Sequence, residues 1–126
     1  MTQAEADAIA QEWIETWNSH DVERILEHYA DDIIFHSPVA ELATGDGRVQ
    51  GMAALRTYWS RGLAKRSGLN FTLIHAFAGH RSVAIHYSDE LGRQMVETLI
   101  FNDQGKVETG TACYEPAIPS AMAHAR

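Results

Sequence analysis

The stretch Tyr29-Ala-Asp-Asp-Ile-Ile-Phe-His-Ser-Pro38 decides the fold, because it separates two helical segments from a third. From Asp32 onward it is rich in β-branched and aromatic residues, which favour a strand, and Pro38 cannot continue a ladder inside a sheet. A short strand in this position is typical of an α+β roll, in which helices cover a curved sheet. A cavity under the helices would then determine function, because one fold can carry many activities.

Amphipathic helices flank this stretch. Apolar residues recur at spacings of three and four over 2–18, which predicts a first helix, and Asp21 can cap a second over 22–30. The segment 39–50 has no sustained period and is predicted to be a loop that can include a short strand near Val49. Helical spacing returns over 52–65 and predicts the third helix.

The rest of the chain has the pattern of an antiparallel meander. Turn residues separate four strand-like segments, at 70–78, 82–88, 93–101 and 106–115. Three N-terminal helices packed on a curved antiparallel sheet make a cone-shaped α+β roll that encloses a pocket. Residues 1–126 are predicted to be a single domain, with 116–126 a C-terminal tail that is loose or packs on a neighbouring subunit.

Composition limits the class of protein. The chain has 126 residues, 45% apolar and 21% charged, with a net charge of −7. The acidic balance argues against nucleic acid, and the basic cluster Arg61–Arg66 is interpreted as the solvated end of a helix. No segment has the pattern of a signal peptide or a membrane span, so we expect a cytoplasmic location and no membrane partner. The single cysteine, Cys113, cannot form an intrachain disulfide and is interpreted as a small strand residue.

Five local motifs follow one another in a recognisable order. They are Trp17-Asn-Ser-His-Asp21, Tyr29-Ala-Asp-Asp32, Ser37-Pro38, Gly51 and Phe101-Asn-Asp-Gln-Gly-Lys106. In this order and spacing the chain, from about Ala8 to Glu115, resembles the nuclear transport factor 2-like superfamily, which includes ketosteroid isomerases and SnoaL-like polyketide cyclases. The resemblance implies the cone fold, and it implies a homodimer through the convex face of the sheet.

The resemblance also implies positions for catalytic groups. Ketosteroid isomerases use an aspartate before the proline as base, a tyrosine of the first helix, and a protonated aspartate of a late strand. The matching positions here are Ser37, Trp13 and Glu97. Serine does not shuttle protons near neutral pH unaided, and an indole cannot replace a phenol as an acid. The resemblance therefore argues against steroid isomerase activity; an enzyme here would be a cofactor-independent isomerase, cyclase or hydratase.

Glu97 is the leading catalytic candidate. Met95, Leu99 and Phe101 share its strand face, and a carboxylate on an apolar face is costly unless it is paired or protonated. The alternative is that the concave face is the other one, which would leave Glu97 exposed and Val83, Ile85 and Tyr87 buried.

Two histidines are candidate partners of Glu97. A register that pairs Ser88 with Arg93 puts His86 on the same face as Glu97, where they would form an acid/base couple. A slip of one residue would turn His86 to the opposite face. His36 remains a candidate at an irregular strand end, although alternation favours an inward Ser37 and a rim histidine without a role is an alternative. No histidine pair has metal-ligand spacing, so no metal site is predicted.

Aromatic and apolar residues at inward positions predict a binding pocket for a small apolar or aromatic molecule. We expect its lining to include Trp13, Trp17, Tyr29, Phe35, Ser37, Trp59, Leu99 and Tyr114. Three functions fit this pattern: an enzyme that transfers protons, a binding module without catalysis, and an interaction protein that works through the sheet.

Overall fold

The N-terminal half of the chain is mainly helical. The structure is a computed structural model that describes residues 1–119. Helix α1 spans Gln3–Asn18 and begins with a capping box, in which Thr2 accepts from the Glu5 amide and the Glu5 side chain accepts from the Thr2 amide. Helix α2 spans Val22–Leu26 and is capped by Asp21. The third predicted helix spans Met52–Lys65 and is called α4.

An additional helix, α3, spans Pro38–Thr44 in the segment that was predicted to be a loop. The Ser37 side chain caps it by accepting from the amides of Val39 and Ala40, and Pro38 occupies the first turn, where its missing N–H costs nothing. Gly45 ends it with a φ of 85°, a left-handed conformation that favours glycine. The loop prediction was therefore wrong over 38–44, because Ser-Pro is a helix start as well as a strand stop, whereas the short strand near Val49 is present at Arg48–Gln50.

Six strands form one sheet in the order β2-β1-β6-β5-β4-β3. The strands are β1 Tyr29–His36, β2 Arg48–Gln50, β3 Thr72–Gly79, β4 Ser82–Ser88, β5 Gln94–Phe101 and β6 Val107–Glu115. The predicted meander is present as β3 to β6, and the α+β cone is confirmed. One pair differs from the antiparallel prediction, because β1 runs parallel to β6. Parallel neighbours need a crossover, and here the chain from α3 to β5 supplies it.

The β4–β5 register decides which side chains face the helices. Ser88 pairs with Gln94 rather than with Arg93, so Glu97 lies opposite Ile85 and His86 lies opposite Val96. The assumed register was wrong by one residue, because Arg93 belongs to the connecting turn, where its backbone pairs with Asp89. Glu97 therefore shares its buried face with Val83, Ile85 and Tyr87. The first interpretation was right that Glu97 is buried, and the alternative was right that the other three residues are buried.

The core lies between this concave face and the helices. Helix α1 packs on β3, and α4 packs on β1 and on α2. Within residues 1–119, no helix is both long enough and apolar enough to cross a membrane. Residues 116–119 have no helix or strand, and the remainder of the predicted tail lies outside the described residues.

Candidate functional site

A cavity of about 240 Å³ opens between the helices and the concave face of the sheet. We call it the aromatic cavity, because indole, phenol and phenyl rings make up much of its wall. The structure places most of the predicted binding residues in that wall, together with Glu97: Trp13, Trp17, Phe35, Ser37, Trp59 and Tyr114. Several of the rings contact one another edge to face, as Trp17 does with Trp59 at 4.9 Å between centroids. The rings therefore form a connected wall.

Two predicted binding residues do not border this cavity. Tyr29 is buried behind the wall, where its hydroxyl accepts a hydrogen bond of 3.0 Å from Trp13 Nε1. Leu99 is buried on β5 and borders a separate hollow beside Phe101 and Val107. The inward direction of both side chains was correct, but their place in the pocket lining was wrong because the cavity occupies only part of the concave face.

Glu97 lies in the cavity wall with only 3% of its surface exposed. Burial raises the pKa of its carboxyl to about 7, and the Tyr87 hydroxyl lowers it in part by donating a hydrogen bond of 3.1 Å to Oε1. Its cross-strand neighbours are Ile85 and Ala112, neither of which can pair with a charge. Glu97 can therefore exist in both protonation states near neutral pH.

All four tyrosines of the chain lie near enough to this carboxyl for its charge to affect their pKa values. Burial raises the pKa values of Tyr29, Tyr58, Tyr87 and Tyr114, and the negative charge of Glu97 raises each of them further. The nearby Ser37 hydroxyl lowers the pKa values of Tyr58 and Tyr114 in part, but burial outweighs it. The tyrosines therefore remain protonated at neutral pH and keep their hydroxyl protons as donors.

Ser37 occupies the position where the resemblance implies a catalytic base. Its Oγ accepts from the backbone amides of Val39 and Ala40, at 3.2 Å and 3.4 Å, and so holds the start of α3. The sequence placed this side chain correctly in the wall, but it did not reveal that the oxygen caps a helix.

Neither candidate histidine reaches the cavity. His86 is half-buried on the opposite face of the sheet, where its Nε2 lies 2.8 Å from Gln94 Oε1 and its cross-strand neighbour is His75. His36 is exposed at the end of β1, because regular alternation turns Phe35 and Ser37 inward. The predicted couple of Glu97 with His86 or His36 is therefore wrong on geometric grounds, since the histidines within residues 1–119 all lie outside the wall.

An ion cluster that the sequence did not reveal lies at the edge of the cavity. Asp89, whose side chain is fully shielded from solvent, accepts from Arg93 Nε at 2.8 Å and from Arg66 Nη2 at 3.3 Å. It also accepts from the backbone amides of Leu91 and Arg93. Burial alone would raise the pKa of Asp89, but the hydrogen bonds and charges of the arginines outweigh it and hold the pKa below its usual range.

Both arginines of this cluster border the cavity. Arg66 also binds Glu90, and the Arg93 guanidinium lies 5.2 Å from the centre of the Tyr114 ring. The spacing of Asp89 and Arg93 across a Gly-containing turn was the sequence signal that could have found the cluster. Among the residues that the structure describes, no three metal-binding side chains are grouped to hold an ion.

Comparison with known proteins places this geometry in a family. A family profile described as a SnoaL-like domain matches residues 10–114. The crystal structure of a SnoaL-like protein of unknown function from Burkholderia thailandensis has a TM-score of 0.86 and 38% identity, and the match covers 90% of this chain and 96% of that one. No curated protein matches the sequence.

A more distant structure shares the fold alone. It is that of SalBIII, an epoxide hydrolase/cyclase-like enzyme described as having a role in pyran ring formation in the polyether salinomycin. Its TM-score is 0.69 at 18% identity, with 88% of this chain and 91% of that one covered. With a profile that spans most of its length and a relative at 38% identity, the chain belongs to the SnoaL-like domain family of the nuclear transport factor 2-like superfamily.

Proposed function

We propose that the protein binds a small apolar, ring-containing molecule in the aromatic cavity and transfers a proton on it, with Glu97 as the acid/base group. One observation carries this proposal. Glu97 is the one carboxyl group in the described wall of the cavity, and its pKa of about 7 lets it both accept and donate a proton at neutral pH.

The size of the cavity supports a small ligand. A protein cavity of about 150 Å³ accommodates benzene, so the volume of about 240 Å³ here suits one substituted ring or two small fused rings. Four fused rings need more room than this. The walls of Trp17, Trp59 and Phe35 offer ring faces and edges to such a molecule.

The proton transfer can run in either direction. Ionised Glu97 would remove a proton from carbon or water, and neutral Glu97 would donate one to an oxygen. Tyr58 and Tyr114, which remain protonated, are suited to donate hydrogen bonds to an oxygen that gains negative charge. Isomerisation, cyclisation and hydration all use these elementary steps without a cofactor.

Steroid isomerase chemistry has little support in this site. Ser37 stands where that reaction needs a carboxylate, and its Oγ is engaged in capping α3. Trp13 stands where it needs a phenol, and its Nε1 already donates to Tyr29. Glu97 would therefore transfer the proton, and the hydroxyls of Tyr58 and Tyr114 would donate hydrogen bonds to the oxygen of the ligand.

Solvent exchange tests the proposed chemistry without knowledge of the product. One- and two-ring compounds that raise the Tm of the wild-type protein are incubated with it in D₂O, and loss of their C–H signals is followed by ¹H NMR. We expect Glu97→Gln to slow the exchange by about 10²–10⁴-fold, with the Kd changed little. Glu108→Gln, an exposed carboxyl, is the control.

The outcomes separate the candidate functions. Exchange at the wild-type rate in Glu97→Gln would remove Glu97 from the mechanism. Binding without exchange of any compound would favour the non-catalytic binding module. A screen in which no compound raises the Tm would contradict both functions.

A homodimer through the convex face is a further part of the proposal, supported by exposed apolar residues there. Phe77 is 53% exposed, and Val96 and Ile100 lie on the same face of the sheet. We expect light scattering to give twice the monomer mass for wild type and the monomer mass for Phe77→Glu, because a two-fold axis would bring the new charges together. Leu91→Glu, an exposed apolar residue at the cavity mouth, is expected to remain dimeric; a monomeric wild type would contradict the dimer.

A further inference from the structure

A larger cavity adjoins the aromatic cavity along α4. It has a volume of about 790 Å³ and is bordered by α3, β2 and α4, with Leu42, Val49 and Ala54 among its apolar residues. We call it the α3–α4 groove. Its existence depends on α3, the helix that the sequence did not predict.

Positive charge is concentrated in this groove. Its wall contains Arg48, Arg61 and Lys65, together with Arg66, which is already paired with Asp89 and Glu90. Asp46 is the one acidic residue in this wall, in a chain whose net charge is −7. Arg61 and Lys65 are exposed, and neither forms an ion pair with another residue in the range 1–119. A helix dipole favours cations near the end of α4, but it does not account for Arg48, which comes from β2. The groove therefore suits an anion.

The groove and the aromatic cavity share part of their walls. Val39, Tyr58, Gly62 and Arg66 border both of them. Tyr58 and Gly62 lie four residues apart along one side of α4, and Arg66 follows as the C-cap of that helix. A Cβ atom added at Gly62 would meet nothing within 4 Å, so the missing side chain leaves open space between two larger ones.

Glycine is unfavourable inside a helix, and no close contact requires it at this position. A passage between the two cavities would explain why a residue without a side chain stands at position 62. Arg66 lies at the same junction, where the described hydrogen bonds of its guanidinium are all made by Nη2 and its buried Nε has no partner within residues 1–119. Its guanidinium is therefore not saturated.

We infer that the two cavities bind a single two-part ligand, whose apolar ring occupies the aromatic cavity and whose anionic group, a carboxylate or a phosphate, lies in the α3–α4 groove, with the linker passing Gly62. This inference rests on the proposed function for the ring and adds the class of substrate. The anion is recognised by Arg61, Lys65 and Arg48, and Arg66 lies where the linker crosses.

A matched series of probes tests the inference. We would measure the Kd of ω-phenylalkanoates of increasing chain length, the corresponding ω-phenylalkanols and the corresponding alkyl phosphates. The anions are expected to bind about tenfold more tightly than the alcohols once the chain is long enough to reach the groove, and higher salt should reduce this preference. Tighter binding of the phosphates than of the carboxylates would identify the anion as a phosphate, and the reverse order as a carboxylate.

Two variants locate the effect. Arg61→Gln/Lys65→Gln should lose most of the anion preference, whereas the control Arg24→Gln/Arg56→Gln, which removes the same charge from outside the groove, should keep it. Gly62→Leu should fill the passage, weakening the long-chain anions about tenfold and short phenyl alcohols little.

The failures can be distinguished. Equal binding of anions and alcohols, or an unchanged preference in Arg61→Gln/Lys65→Gln, would overturn the two-part ligand while leaving the aromatic cavity as a binding site. Long-chain anions that bind Gly62→Leu as tightly as wild type would overturn the passage. Failure of every phenyl compound to bind would overturn this inference and the proposed function together.

Discussion

As pH rises from 4 to 9, the stability of Glu97→Gln relative to wild type is expected to increase by about 3 kcal/mol. The reason is that burial raises the folded-state pKa of Glu97 from 4.5 to about 7. A carboxyl with a raised pKa stabilises the fold below pH 4.5 in full and loses that contribution as pH rises through 7. The difference of about 2.5 units corresponds to about 3 kcal/mol, and glutamine cannot ionise.

Urea unfolding of both proteins between pH 4 and pH 9 measures this effect. The difference in free energy of unfolding between Glu97→Gln and wild type should rise with pH between about 4.5 and 7 and then level off. The other titrating groups are the same in both proteins, so their contributions to this difference cancel. Glu108→Gln should show a nearly flat difference, since that side chain is exposed. A flat difference for Glu97→Gln as well would mean that Glu97 ionises normally.

The second large effect is expected at Asp89. Asp89→Asn should lower the free energy of unfolding by about 3 kcal/mol at neutral pH, because breaking a buried ion pair leaves charged groups without their partner. The carboxylate accepts from Arg66, Arg93 and two backbone amides, and its side chain is fully shielded. An amide has one acceptor oxygen and would turn an NH₂ group towards a guanidinium.

Glu90→Gln is the matched control for Asp89→Asn. Glu90 binds the same Arg66, but its side chain is 26% exposed, so we expect a loss below about 1 kcal/mol. Urea unfolding measures both variants. Equal losses in the two variants would mean that the buried carboxylate of Asp89 contributes no more stability than the partly exposed one of Glu90.

Local patterns in the sequence predicted most of the fold. Helical spacing found α1 and α4, and turn residues found the meander. The segment Ser37-Pro38 was ambiguous, because a strand stop and a helix cap use the same two residue types. The parallel pairing of β1 with β6 joins segments far apart in sequence, and no local signal specifies it.

The site residues also fall into those that a local pattern predicted and those that it could not predict. Glu97 was found because alternation along one strand is local and showed a carboxylate among apolar residues. His86 was misplaced because its face depends on the β4–β5 register, which the Asp89 side chain sets by holding Arg93 in the turn. The role of Ser37 as a cap and the cation-rich groove both depend on α3, so they became visible only with the structure.

The proposed function requires that the Glu97 carboxyl changes protonation near neutral pH inside the aromatic cavity. The most direct test is a ¹³C NMR titration of the Glu97 side-chain carboxyl in glutamate-labelled protein, with the resonance assigned by its loss in Glu97→Gln. We expect a midpoint near pH 7, as burial among Ile85, Ala112 and the tyrosines requires. A midpoint near 4.5, the ordinary value for glutamate, would contradict the proposed role of Glu97 as the acid/base group.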